Sequence, residues 1–117
     1  MTAIRVQKLT RIHARAFPML EKEIERQLRE PVKQLGGLCL KLVCPGFTGV
    51  PDRLILLPGG HVLFVETKAP GKRERPRQVY VQGLLARLGF LVFPSVDSAA
   101  KVDIVIERCR RLVYGKG

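Results

Sequence analysis

The spacing of apolar and polar positions divides the chain into a series of short elements. Residues 1–17 hold Arg5, Lys8, Arg11 and Arg15 and no acid, with Ile4, Leu9, Ile12 and Phe17 as a narrow apolar stripe, so they read as a basic arm or a short helix. Over residues 18–35, Leu20, Ile24, Leu28, Val32 and Leu35 recur every three or four positions, which predicts a helix with one buried face. Pro18 suits its first turn, and Glu21, Glu23 and Glu25 lie where the helix dipole favours anions. Pro31 is expected to kink this helix or end its regular part, and Gly36-Gly37 to close it.

The next segments are shorter and more uniformly apolar. Residues 38–44 (LCLKLVC), interrupted by Lys41, predict a strand, followed by a loop over 45–51 (PGFTGVP). Residues 53–57 (RLILL) and 61–65 (HVLFV), separated by Pro58-Gly59-Gly60, predict a hairpin. Both runs are apolar on both faces, so the hairpin is expected to be covered on both sides. After a basic, Pro- and Gly-rich loop at 69–77, Pro76 opens a helix over about 76–88 with Val81, Leu84, Leu85 and Leu88 as its apolar face. Residues 90–93 (FLVF) predict a further strand. Asp97 or Ser98 then caps a last helix to about Leu112, with Val102, Val105, Ile106, Cys109 and Leu112 inward. The order α-β-β-β-α-β-α implies one small domain, α/β or α+β, with a mixed sheet flanked by helices.

Composition narrows the function. The chain has 117 residues, with 21 Lys plus Arg against 10 Asp plus Glu, a net charge of +11. That length supports a single core. At 46% hydrophobic residues the chain is too apolar for a solvated basic tail, so the charge is carried by a folded surface and points to a polyanion. No apolar run approaches the ~20 residues of a spanning helix. Met1 to Thr10 lack the apolar stretch of a signal peptide. Cys39, Cys44 and Cys109 show no CxxC spacing, and His13 and His61 do not complete a zinc site. They read as reduced cysteines of a cytoplasmic protein.

Two acids are out of place among the apolar strands. Asp52 precedes the first hairpin strand and Glu66 follows the second. With Pro58-Gly59-Gly60 as a three-residue turn, Leu57 pairs with His61, and equal steps outward set Asp52 opposite Glu66. Lys68, two residues on, shares that face. A two-residue turn would pair Asp52 with Thr67 instead. Two close carboxylates repel each other unless a hard divalent cation lies between them. The plain alternative is a pair of polar strand ends with a surface Glu66–Lys68 ion pair.

The string GVPDRLILLPGGHVLFVETKAPG, residues 49–71, resembles the PD-(D/E)XK nuclease signature, with Pro51-Asp52 and Glu66-Thr67-Lys68 as its two elements. More narrowly, the chain is similar to the virus-type replication-repair nuclease (VRR-NUC) family over roughly residues 20–98. Glu21, Gly36-Gly37, Lys41, Gly49 to Arg53, Pro58 to Gly60, Phe64 to Lys68, the 71–77 loop and Gln78 follow that family's pattern in order. The resemblance implies a restriction-endonuclease-like core over 18–117. It implies Asp52, Glu66 and the Thr67 carbonyl as ligands for Mg²⁺ or Mn²⁺, Lys68 as the catalytic lysine, and Glu21 and Gln78 as catalytic partners. Glu25 and Gln82, each one turn further on, compete for the last two roles. Lys41 reaches DNA or the site, or is a snorkelling strand lysine.

Lys72, Arg73, Arg75 and Arg77 cluster after the EXK element, where phosphate contacts would position DNA without reading sequence. With no Trp, five Phe and two Tyr, stacking on unpaired bases is expected to be a minor mode. The resemblance also implies branched or duplex DNA as partner, no membrane, and a resolvase of phage or prophage type working in the host cytoplasm. Two cuts in a two-fold symmetric junction would require a homodimer. A monomeric flap or nicking nuclease and a non-catalytic DNA-binding module are the alternatives.

Overall fold

The computed structural model describes residues 20–115; the basic arm expected over 1–17 lies outside them. The elements are α1 (Glu21–Gln34), β1 (Leu38–Lys41), β2 (Arg53–Leu57), β3 (His61–Thr67), α2 (Pro76–Arg87), β4 (Leu91–Val96) and α3 (Ala99–Tyr114). The sheet order is β1-β2-β3-β4. The first three strands are antiparallel and β4 runs parallel to β3, with α2 in the crossover that a parallel neighbour requires. The result is a small α+β domain with a mixed sheet. Among the described residues no helix is long and apolar enough to cross a membrane.

One face of the sheet forms the core. Ile55, Leu57, Leu63 and Val65 alternate with outward residues on β2 and β3, and α1 and α3 cover them. From α1 come Ile24, Leu28 and Val32, spaced four apart and fully buried. Leu20 is the N-cap residue, outside the helical repeat, and is 56% exposed, so it does not join the face the spacing assigned to it. Pro31 stays inside α1, whose last residues Val32 to Gln34 remain helical. From α3 come Val102, Val105, Ile106 and Cys109, and the Ser98 hydroxyl caps that helix by accepting the Lys101 N–H. Truncating Leu28 to Ala would cost about 2–5 kcal/mol through the cavity it leaves.

Among the described residues the opposite face is only partly covered, whereas the sequence led us to expect a hairpin enclosed on both sides. By register, Leu38, Leu40, Leu54, Leu56, Val62 and Phe64 share this face. Leu54, Leu56, Val62 and Phe64 are half-buried, while Leu38 and Leu40 are exposed. The helix α2 packs toward β4 and leaves β1 open. It is also turned from the face its leucines suggested: Val81 and Gln82 are buried, Leu84 and Leu85 half-buried, and Leu88 is 73% exposed. The side chains of Gln78 and Gln82 have hydrogen-bond partners facing the sheet, which sets the rotation.

Two details of the sheet position the site. The hairpin turn has three residues, with Leu57 opposite His61, and Gly59 and Gly60 take φ of 90° and 80°, where a side chain would be strained. The β3–β4 ladder then shifts: Val65 pairs with Phe93 but Thr67 with Val96, so β4 carries one extra residue at Pro94-Ser95. Ser95 has φ of 53°, and its N–H and hydroxyl both donate to Glu74 Oε2, at 2.7 and 2.8 Å. Strand β3 thus runs two residues beyond the predicted end, and Glu66 and Thr67 become buried strand residues.

Candidate active site

The β2–β3 ladder ends at the pair Arg53 and Val65, and the next step outward sets Asp52 beside Glu66. The two carboxylates do not confront each other bare. Each is held by a backbone N–H from the opposing segment: Asp52 N–H donates to Glu66 Oε1 at 3.1 Å, and Thr67 N–H to Asp52 Oδ1 at 2.8 Å. The Thr67 hydroxyl donates to Asp52 Oδ2, and Glu21 Oε2 lies 3.4 Å from the same hydroxyl oxygen. A hydroxyl has one proton, so it serves Asp52, the closer acceptor.

Helix α1 delivers more acid to this point. Its first residue, Glu21, and Glu25 one turn later each bring a carboxylate oxygen within 4.8 Å of the other and of Asp52. Glu25 is ion-paired with Arg53, whose guanidinium is mostly buried. Glu21 is exposed and makes no ion pair among the described residues. Burial pushes the Asp52 carboxyl above its ordinary range, the Glu21 charge pushes the same way, and the bonds from Thr67 oppose both. Glu66 is raised by burial and then by Asp52, against the pull of Lys68. A cluster of oxygen donors that holds protons too tightly is suited to a hard divalent cation, whose charge would reverse both shifts.

On the other side of Glu66 a closed set of polar contacts forms. Lys68 Nζ lies 3.2 Å from Glu66 Oε2 and donates to Gln78 Oε1 at 3.0 Å. Gln78 Nε2 donates to Glu66 Oε2 at 3.0 Å, and Gln78 Oε1 also accepts the Arg75 N–H at 2.8 Å, which caps α2. The helix cap, the lysine and the carboxylate are therefore fixed together.

The fold gathers Glu21, Asp52, Glu66, Thr67, Lys68 and Gln78 into one place. Of the two glutamines, Gln78 contacts Lys68 and Glu66, whereas Gln82 is 8% exposed and donates to Glu74. Glu25 lies in the same carboxylate cluster as Glu21 but carries the Arg53 pair. Lys41 ends β1, exposed, in register with Arg53 and on the α1 side of the sheet. Lys72, Arg73 and Arg75 are exposed in the segment leading to α2. Arg77 is exposed too, but its Nε donates to the Thr48 carbonyl at 3.0 Å.

Sequence reasoning missed three participants. Arg53 has the strand parity of Ile55 and Leu57, so it had to enter the core side with a carboxylate partner, and Glu25 is that partner; its Nε finds no acceptor among the described residues. Glu74, an acid within the basic 69–77 loop, pins the β4 bulge and Gln82. The Thr67 hydroxyl bonds Asp52, where only the backbone carbonyl at that position was expected to matter.

Comparison with known proteins places the chain among nucleases. No family model matches the chain. A protein of Acyrthosiphon pisum secondary endosymbiont phage 1, named "Putative nuclease p44", is 46% identical over 87 residues, which are 73% of this chain and 94% of that protein. A solved structure described as a VRR_NUC domain superposes with a TM-score of 0.68 at 34% identity, covering 74% of this chain and 94% of its own. With the PD…ETK hairpin in place and relatives matched over nearly their whole length, the chain belongs to the VRR-NUC family of nucleases.

Proposed function

We propose that this nuclease is a divalent-metal-dependent, structure-specific DNA endonuclease that hydrolyses phosphodiester bonds, working as a homodimeric Holliday-junction resolvase of phage or prophage type in the cytoplasm of the bacterial host. The observation that carries the chemistry is the convergence of Asp52, Glu66 and Lys68 at one strand end beside the α1 carboxylates. Asp52, Glu66 and the Thr67 carbonyl would hold Mg²⁺ or Mn²⁺. Such an ion, when bound, lowers the pKa of water and offsets charge on a phosphate.

The chain's own groups supply the remainder. Lys68 places a positive charge where an attacking hydroxide and the scissile phosphate gather negative charge. Gln78 holds the Lys68 ammonium by accepting from it, so the charge is aimed before substrate arrives. Glu21, exposed at the start of α1, orients water or holds a second ion. Lys41, Lys72, Arg73, Arg75 and Arg77 take phosphates on either flank, consistent with a net charge of +11. The phage relative's name supports nuclease action. A four-way junction is two-fold symmetric and one site cuts one strand, which is the ground for proposing a dimer.

The test is a panel of end-labelled duplex, flap, nicked and four-way-junction DNA with Mg²⁺ or Mn²⁺, read alongside sedimentation of the free and junction-bound protein. Paired symmetric cuts in the junction by a two-chain species are expected. Cutting confined to flaps or nicks by a single-chain species would assign a monomeric repair-type nuclease, and binding without cutting a passive DNA module.

A further inference from the structure

Beside the site lies a cluster that the hydrolytic chemistry leaves unused. Phe47, in the loop before Asp52, and Tyr80, on α2, are large rings left 45% and 55% exposed. The Arg77 guanidinium lies between them, 4.9 Å from the Phe47 ring centre and 5.4 Å from that of Tyr80. Its Nε is tied to the Thr48 carbonyl, so Arg77 bridges loop and helix. Gly49 makes the closure possible: it has φ of 92°, and a Cβ there would fall 2.7 Å from Arg77 Cγ and 2.9 Å from the Arg77 carbonyl oxygen.

Arg77 thus has a structural role beside the phosphate contact proposed for it. A guanidinium with its Nε bonded to a carbonyl and its carbon over two rings is a brace, and what it braces is a pair of exposed aromatic side chains. Rings held in one geometry lose little freedom when something stacks on them. The location is specific: Arg77 adjoins Gln78, which bonds Glu66 and Lys68, and Phe47 lies five residues before Asp52. The phosphate-binding candidates Lys72, Arg73 and Arg75 are exposed in the segment that leads into the same helix. A continuous duplex offers no free base face. One becomes available only where stacking is interrupted, at a branch point, a nick or a strand end.

We infer that Phe47 and Tyr80, locked by Arg77, form a stacking surface for an unstacked base at a branch point or strand interruption, and so select interrupted DNA over continuous duplex. The inference deepens, and rests on, the reading of the protein as a structure-specific DNA nuclease. It also raises aromatic stacking from the minor mode that the small aromatic content suggested.

The test uses the full chain in Ca²⁺, with two DNAs of equal length and charge: a continuous duplex, and a nicked or three-way branched one with 2-aminopurine at the interruption. Phe47→Ala and Tyr80→Ala should each weaken binding to the interrupted DNA by about 10-fold, from the stacking of one base, and leave duplex affinity and the salt dependence unchanged. Tyr80→Phe should bind as wild type, and the change in 2-aminopurine emission on binding should vanish in the alanine variants. Equal binding of both DNAs by wild type and variants alike, or a uniform loss with a shallower salt dependence, overturns the inference. If wild type prefers interrupted DNA and the alanine variants bind it as tightly, only the stacking surface fails; if wild type binds neither DNA in Ca²⁺ and cuts neither when Mn²⁺ replaces it, the nuclease reading fails with it.

Discussion

Asp52→Asn should make the metal-free protein more stable. Carboxylate oxygens of Asp52, Glu21 and Glu25 lie within 4.8 Å of one another, and among the described residues only Glu25 is ion-paired, with Arg53. At that separation the Asp52–Glu21 repulsion is ~0.9 kcal/mol with water's dielectric and ~3.5 kcal/mol at an effective dielectric of about 20. Glu21 is exposed, so the lower end applies, about 1 kcal/mol. Burial of the Asp52 charge, the larger cause of its raised pKa, adds to the gain. Against this, the Thr67 N–H donates to a neutral amide oxygen instead of an anion and the Thr67 hydroxyl must turn to accept from the new NH2, a loss of about 1 kcal/mol. The repulsion and hydrogen-bond contributions nearly cancel, so the net gain is the burial contribution, on the order of 1 kcal/mol, or ~4 °C in Tm for a domain of this size. The sign with pH is fixed as well. Since the folded pKa lies above the unfolded value of about 3.9, folded wild type binds more protons in that window and loses stability as pH rises through it. The variant's advantage should therefore be absent in acid, grow above about pH 4, and level off once folded Asp52 is ionised. Thermal melts in EDTA across pH, repeated with Mn²⁺, measure both parts; Mn²⁺ should raise the Tm of wild type and hardly move the variant. An Asp52→Asn protein that melts below wild type at pH 8 in EDTA, or gains equally from Mn²⁺, refutes the electrostatic account of the cluster.

Three other expectations follow from single contacts. Arg53→Met leaves Glu25 without its cation and should cost about 3 kcal/mol in urea unfolding, most of it recovered by adding Glu25→Leu; a single variant as stable as wild type would show the pair to be immaterial. Gln78→Leu removes the group that fixes Lys68 against Glu66 and should lower kcat about 10-fold with DNA affinity unchanged, whereas parallel losses in both would mark a general collapse of α2. Burial pushes the Cys39 and Cys109 thiols up to about 11, so iodoacetamide at pH 8 should label Cys44 first, and mass spectrometry of the singly alkylated protein locates the adduct.

The strands and helices were legible in order because their periods are plain, and the Asp52–Glu66 juxtaposition because equal steps from a three-residue turn survive an unbroken antiparallel ladder. What the sequence did not reveal depends on partners distant in the chain. Counting apolar residues turned α2 toward Leu84 and Leu88; the buried contacts of Gln78 with Glu66 and Lys68, and of Gln82 with Glu74, turn it elsewhere, and no periodicity records a satisfied amide. The bulge in β4 was invisible because its cause, Glu74 bonding Ser95, lies 21 residues away in a loop whose other charges are basic. Strand ends also free side chains from strict alternation. Opposed register therefore located Asp52 and Glu66 but did not foretell that each carboxylate would be captured by the other segment's N–H.

The central claim is that a divalent cation at Asp52 and Glu66, with Lys68 beside it, cuts DNA. Its most direct test is single-turnover cleavage of a labelled four-way junction at saturating protein, comparing wild type with Asp52→Asn and Lys68→Ala in Mn²⁺ and in EDTA. Wild type should cleave in Mn²⁺ and stop in EDTA, and both variants should bind the junction yet lose cleavage by about 100-fold or more. Cleavage by wild type that persists in EDTA, or variants that cut at the wild-type rate, would contradict it.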